Sequence, residues 1–351
     1  MSRIIQPVVS PRGRIIVLTG ATLWLIAAMV LSATPDGATA SPRLAANAAS
    51  GESLVIEQVA GTEEYLYWPR VISSRGQLFV VDRGSSRVLR LNEKFEAELI
   101  IGREGAGPGE FQLPYDLATD SAGNMFVVDV TLRRINKYDA HGGFIKSVAV
   151  PDVATLLIDS NDELIVYPGA GDALLQRYSN DLEPGEPLLT KGDDRMHRMR
   201  MGILMAIDSE DRLMLLDQLD YTVTTYDAEM NPISSWSVED AAGLRETIAT
   251  ALVSKRAKNP DYDGHIPGFQ TMAFDAARQR LALAYLIRTA DGTFTRVAWY
   301  SITGLGLGTE DRANNVFAAT VLPDGRLVEG SEESLHIFDN GTPMGGVVRG
   351  N

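Results

Sequence analysis

The chain has 351 residues, 45% of them hydrophobic and 22% charged, which is ordinary for a globular protein and enough to bury a large core. It has no cysteine, which excludes disulfides, thiolate metal sites, a cysteine nucleophile and an acylated lipoprotein anchor. The formal net charge is −14; Arg3, Arg12, Arg14 and Arg43 against Asp36 make residues 1–50 carry +3, so the rest carries −17, an acidic body that disfavours nucleic acid and anionic lipid headgroups as partners.

The first 33 residues pair a basic start with an uncharged run, Ile15–Ala33, of 19 residues. A signal peptide would use a shorter apolar core and a small-x-small site, for which Ala38-Thr39-Ala40 is suited. A spanning helix needs roughly 20 apolar residues. The length favours a retained single-pass anchor, residues 1–33, with the basic side in the cytoplasm and the remainder in the periplasm; cleavage would leave a soluble periplasmic protein instead. Residues 34–52, rich in Ala, Ser and Pro, then read as a flexible tether ahead of a domain spanning 53–351.

Leu54–Val59 is a strand pattern with no repeat of its own. From there a unit recurs: an apolar strand, a turn of small and acidic residues, a second apolar strand ending at Asp, and two more short strands. It is complete in 101–150, with strands at 117–119, 125–128, 134–138 and 144–150 separated by Asp120–Asn124 and Asp139–Gly143. Gly76 and Gly123 align at a spacing of 47; Asp159 follows Asp120 by 39, Asp208 follows by 49, Asp275 by 67 and Leu322 by 47. Six repeats of four short antiparallel strands predict an all-β fold, a six-bladed β-propeller. Leu54–Val59 would close the ring beside Ser334–Phe338, with Met344–Arg349 a rival for that edge.

The best repeat resembles the NHL family. It carries Gly105-x-Gly107-Pro108-Gly109-x-Phe111-x-x-Pro114, then Asp116-Leu117-Ala118-x-Asp120, Gly123-Asn124, Val127-x-Asp129 and Arg134-Ile135. It departs just before Arg134, where Leu132-Arg133 stand and the family usually has Asn. The resemblance implies the propeller fold and says little about activity, since such propellers include enzymes, binders and scaffolds.

Two insertions interrupt the repeat. In Glu239–Phe269, Asp240 is placed to cap a helix whose stripe is Leu244, Ile248, Ala251 and Leu252, with Lys255, Arg256 and Lys258 near its end and Pro260 as a stop. This inserted helix is read as a lid on the propeller or as a docking surface. In Lys191–Met201 the cations Arg195, Arg198 and Arg200 interleave with methionines around His197. Their mutual repulsion works against a soft-metal site, and a basic, partly apolar loop on an acidic body suits a protein partner.

Chemistry is sparse. The four histidines, His141, His197, His265 and His336, have no metal-pair spacing, and the histidine-rich metal site that the resemblance implies for amidating lyases has no matching set. Lactonase-type propellers hold calcium through Asn, Asp and Glu on the innermost strands; the equivalent positions here are Asp116, Thr155, Leu204, Thr271 and Ala318, with Pro69 or Arg70 in the first repeat, one carboxylate where calcium wants several oxygen donors. Asn259–Gln270 has a calcium-loop outline but lacks the closing Glu. Gly304-x-Gly306-x-Gly308 reads as a turn between blades, and no nucleophile elbow or Walker loop is present. No metal or cofactor is therefore expected. Arg70, Arg103, Glu110, Tyr115 and Asp116 lie where the chain enters the innermost strands, at the channel mouth, and are the candidates for a hydrolase, a lyase or a small-molecule site. The favoured reading is a non-catalytic scaffold subunit on the periplasmic face of an inner-membrane complex, respiratory or photosynthetic, with a membrane-embedded protein partner met through Arg195, His197, Arg198, Arg200 and the Leu244–Leu252 helix.

Overall fold

The computed structural model describes residues 8–9, 15–16, 53–62, 65–190, 203–218, 220–238, 242–258, 268–289, 292–312 and 315–338. The chain falls into two compact units, Met1–Ala46 and Asn47–Asn351. In the first, Val8–Val9 pairs antiparallel with Ile15–Ile16; the remainder of the apolar run and the tether lie outside the described residues, as do the basic loop 191–202 and the calcium-loop outline 259–267. Among the described residues no helix is long and apolar enough to cross a membrane.

The second unit is six four-stranded antiparallel sheets. β1 (Ser53–Ile56) precedes blade one, which holds β2 (Pro69–Ser74), β3 (Gln77–Asp82), β4 (Arg87–Leu91) and β5 (Ala97–Ile101). Blade two follows with β6 (Pro114–Thr119), β7 (Met125–Asp129), β8 (Arg134–Tyr138) and β9 (Phe144–Ala149). Blade three has β10 (Thr155–Ile158), β11 (Leu164–Tyr167), β12 (Ala173–Tyr178) and β13 (Pro184–Thr190). Blade four has β14 (Ile203–Ile207), β15 (Leu213–Asp217), β16 (Thr222–Tyr226) and β17 (Pro232–Ser237). After α1 (Ala242–Lys258), blade five has β18 (Phe269–Asp275), β19 (Arg280–Thr289), β20 (Gly292–Ser301) and β21 (Gly306–Arg312). Blade six has β22 (Ala318–Val321), β23 (Leu327–Gly330) and β24 (Leu335–Phe338), and its fourth strand is β1.

That last pairing is the predicted one: Leu335 faces Ile56, His336 faces Val55 and Ile337 faces Leu54. Both ends of the propeller thus share one sheet, and β24 is left with no open edge. The core lies between blades. Phe79, Val81 and Ile101 of blade one meet Leu117, Val127 and Tyr138 of blade two, and Val71 and Leu89 meet Ala318 and Val328 of blade six. Inner and second strands are therefore largely buried on both faces, while outer strands such as β9 and β17 are largely exposed.

The recurrent residues have local jobs. At the end of the second strand, Asp129 accepts hydrogen bonds from the backbone N–H groups of Gln112 (2.8 Å), Leu113 (3.3 Å), Thr131 (3.1 Å) and Leu132 (2.9 Å). It ties the loop entering the blade to the loop leaving it. Asp82 repeats this with the Tyr67 N–H and the Arg87 Nε, each at 2.9 Å. Arg133, at the NHL departure, has φ of 53°, and its counterparts Ser86 and Tyr221 have 52° and 62°. The usual Asn suits that left-handed conformation better than a long side chain does.

The inserted helix forms as the stripe predicts. Leu244 and Ala251 are buried, Ile248 packs beside them, and Leu244 and Ile248 press on Gly268 at the entry to blade five. The position of Asp240 and the side chain of Leu252 are outside the described residues. One turn is corrected: Gly304 joins β20 to β21 within blade five, and Gly306 and Gly308 lie inside β21, so this is no junction between blades. Gly304 has φ of 88°, and a Cβ there would come within 2.5 Å of the Trp236 ring of blade four.

Candidate functional site

The innermost strands place one residue each at equivalent register. Arg70 faces Val81 as Asp116 faces Val128, Thr155 faces Tyr167, Leu204 faces Leu216, Thr271 faces Ala284 and Ala318 faces Gly330. Arg70, not Pro69, is thus the blade-one member of the ring.

At this level three blades are joined by polar contacts. The Arg70 Nε lies 3.4 Å from one Asp116 oxygen; the other accepts the Thr155 hydroxyl and, at 3.2 Å, the Leu156 N–H. The Arg70 guanidinium stands 5.1 Å from the Tyr115 ring centroid, and that of Arg83 stands 5.5 Å from it. Burial pulls the Arg70 pKa down, but Asp116 and Tyr115 outweigh it and the net shift is upward, so this guanidinium stays charged. For Arg83 burial, helped by the nearby Arg70 charge, outweighs the attraction of Tyr115 and Asp82 and brings it down to about 10, and its Nε donates to the Trp68 carbonyl at 2.8 Å.

Of the predicted mouth residues the structure therefore gathers Arg70, Tyr115 and Asp116. Arg103 and Glu110 close on each other instead. Both the Nε and one terminal nitrogen of Arg103 donate to Glu110 Oε1, at 2.9 and 2.8 Å, while Oε2 accepts the Gly107 N–H at 2.8 Å. The Gly107 N–H, with Arg103 behind it, lowers the Glu110 pKa. Arg134 completes the glycine-rich loop by donating to the carbonyls of Ala106, Gly107 and Glu110. The loop is a structural clasp, which explains its NHL signature.

A wide cavity lies on the other side of this ring. It has a volume of about 650 Å³ and opens among the turns joining first to second strands, where Arg75, Ser160 and Ser209 line it. Toward the predicted mouth the channel narrows to a gap of about 30 Å³ bounded by Arg70, Tyr115, Leu204 and Met272. Arg75 leans across the wide opening, from blade one to the Thr119 carbonyl (3.1 Å), the Asp159 carbonyl (3.1 Å) and the Asp162 carboxylate (2.8 Å). Sequence reasoning missed this opening. The recurring turn aspartates that mark it also cap their own turns, as Asp120 does for Ala122 and Asn124, so their spacing signals fold first.

Away from the channel, Ser334 Oγ lies 3.0 Å from His336 Nε2 on β24 and 2.7 Å from Ser331 Oγ. Among the described residues no three His, Asp or Glu side chains are arranged to hold a metal ion.

A family model described as a 6-bladed beta-propeller matches residues 64–178. NHL repeat-containing protein 3 of Homo sapiens is 29% identical over 75 residues, 20% of this chain and 22% of that protein. A Caenorhabditis elegans protein named as a peptidyl-alpha-hydroxyglycine alpha-amidating lyase is 24% identical over 232 residues, 61% of this chain and 64% of the relative. The chain thus matches less than two thirds of the length of either relative. Among solved structures, a protein of Bacteroides fragilis described as exported superposes with a TM-score of 0.56 at 12% identity, over 82% of this chain and 94% of its own. Strand order and these likenesses agree that the chain is a six-bladed β-propeller, with a repeat similar to the NHL repeat in blade two.

Proposed function

We propose that this propeller is an exported recognition module that binds a protein partner and does no chemistry at its channel. One observation carries the reading: the charged groups at the entry to the innermost strands are spent on each other, Arg70 with Asp116 and Arg103 with Glu110. A general base or nucleophile has to be within reach of substrate and able to move a proton. Asp116 is buried and engaged with three partners, so it suits neither task. The basic loop holding Arg195, His197, Arg198 and Arg200 would meet an acidic partner. The helix would contribute its outer face, where Val253 is exposed, since Leu244 and Ile248 face the propeller. Residues 15–33 would hold the chain at the inner membrane, beside a membrane-embedded complex. The test is purification of the full chain in mild detergent. Co-elution with a membrane complex, lost on replacing the three arginines by Ser, supports the proposal; a chain that elutes alone from the soluble fraction refutes it.

A second reading rests on the lyase-named relative, which aligns over more of the chain than the human NHL protein does. Peptides ending in α-hydroxyglycine are its substrate test. Turnover dependent on a divalent metal would replace the recognition role by catalysis.

A further inference from the structure

An inner strand presents its free edge to the channel, so backbone N–H groups there need partners from the next blade. At four of the six junctions they have them along the cavity. The Ser73 N–H donates to Thr320 Oγ1 (3.0 Å), the Thr119 N–H to Ser74 Oγ (3.0 Å), the Leu156 N–H to Asp116 and the Ala319 N–H to Thr271 Oγ1 (3.3 Å). These bonds join blades five to six, six to one, one to two and two to three. Among the described residues, the cavity-lining stretches of the inner strands of blades four and five have no such bond from the preceding blade: Thr155 turns its hydroxyl to Asp116, Leu204 is apolar, and the Phe269 N–H, which donates to Gln218 Oε1 at 2.9 Å, lies outside the cavity lining. Leu157, Met205, Ile207, Met272 and Phe274 line that side of the cavity.

The cavity therefore has two unlike walls. One offers hydroxyls and the Arg70–Asp116 pair; the other offers hydrocarbon, thioether and strand edge. Leu157, Ile207 and Phe274 are only half-buried, so apolar surface remains for an occupant. The volume of about 650 Å³ falls within the range of roughly 300–1,000 Å³ typical of sites for drug-sized ligands. Among the lining side chains four carboxylates, Asp116, Asp159, Asp208 and Asp211, outnumber two guanidiniums, Arg70 and Arg75. An anion would meet a net negative wall.

We infer that this cavity binds an amphipathic, drug-sized organic molecule that is neutral or cationic. Its apolar flank lies on blades three to five and its hydrogen-bonding edge on blades six to two. Entry is through the opening spanned by Arg75. The site is separate from the protein-docking surface proposed above, and either can fail without the other.

The test uses the purified full chain and two fluorescent probes, Nile red as a neutral amphiphile and 1-anilinonaphthalene-8-sulfonate as an anionic one. Two variants are compared: Ile207→Asp, which charges the apolar wall, and Thr320→Trp, which fills the cavity from the opposite wall. Both are checked for an unchanged circular dichroism spectrum, and whichever variant folds is read. The expected result is saturable one-to-one binding of Nile red, weakened about tenfold or more in either folded variant, as loss of one side chain's apolar contact implies, with at least tenfold weaker binding of the sulfonate. Absence of saturable Nile red binding, equal binding by a folded variant, or tighter binding of the sulfonate would overturn the inference.

Discussion

Glu329 sits in β23 of the closing blade, buried, where it meets Arg312 from the last strand of blade five. The Arg312 Nε lies 3.1 Å from both Glu329 oxygens, and a terminal nitrogen reaches Glu310 at 2.7 Å. Burial outweighs the attraction of Arg312 and pushes the Glu329 pKa from an ordinary 4.5 to about 7. Because the folded value is the higher, the folded chain holds more protons between these limits. The stability this carboxyl contributes is complete below about pH 4.5 and lost as pH rises through about 7, an amount of about 3 kcal/mol at 1.36 kcal/mol per decade. His336, on the neighbouring strand, works in the opposite sense: burial and then Arg312 lower its pKa below 6.5, so its contribution is lost as pH falls. A single pH profile would mix the two, so the comparison is with Glu329→Gln, which keeps the shape and removes the titration. Urea unfolding followed by tryptophan fluorescence between pH 4.5 and 8 should show the variant gaining about 3 kcal/mol on the parent as pH rises. Parallel profiles would mean that Glu329 titrates normally. A parent that gains on the variant would mean that Arg312 outweighs burial, and the reasoning would fail.

Two further outcomes are expected. Arg133→Asn should raise stability by about 1 kcal/mol in the same urea assay, because Arg133 is held at φ of 53° and its ion pair to Asp152 is long, at 3.7 Å, and exposed. A neutral or destabilising result would show that Arg133 contributes a contact beyond its backbone conformation. Gly304→Ala should cost about 2 kcal/mol or more, since it strains a left-handed residue and forces away the Trp236 ring, whose Nε1 donates to the Ile302 carbonyl at 3.2 Å. Red-shifted tryptophan emission should accompany the loss, and an unshifted spectrum at full stability would rule out that contact.

Blade two was legible in its middle strands, because short apolar runs are bounded by turns that use Asp or Gly where the backbone needs them: strands expected at 125–128 and 134–138 form at 125–129 and 134–138, while the first, expected at 117–119, begins at Pro114. The closing strand was legible as a strand pattern without a repeat. Blade five was not. β21 is exposed along most of its length, so its glycines look like loop, and the ten-residue strands β19 and β20 exceed the spacing of the other blades. The entry charges were visible as residue types, but their mutual pairing was not, since Arg103 could point at Glu110 or at the channel with equal ease on sequence alone. The wide cavity was hidden for a plainer reason: its polar wall joins Ser73 to Thr320, residues from opposite ends of the propeller.

The shared sheet of blade six also fixes an order of events during synthesis. β1 leaves the ribosome before any blade exists, and its partner β24 is made only after five blades and the first strands of the sixth. Throughout translation Ser53–Ile56 waits as a lone apolar strand with Leu54 and Val55 outward, able to pair with a neighbouring nascent chain. Rapid production should therefore favour exchanged first strands between copies, whereas slow production gives each chain time to meet its own end.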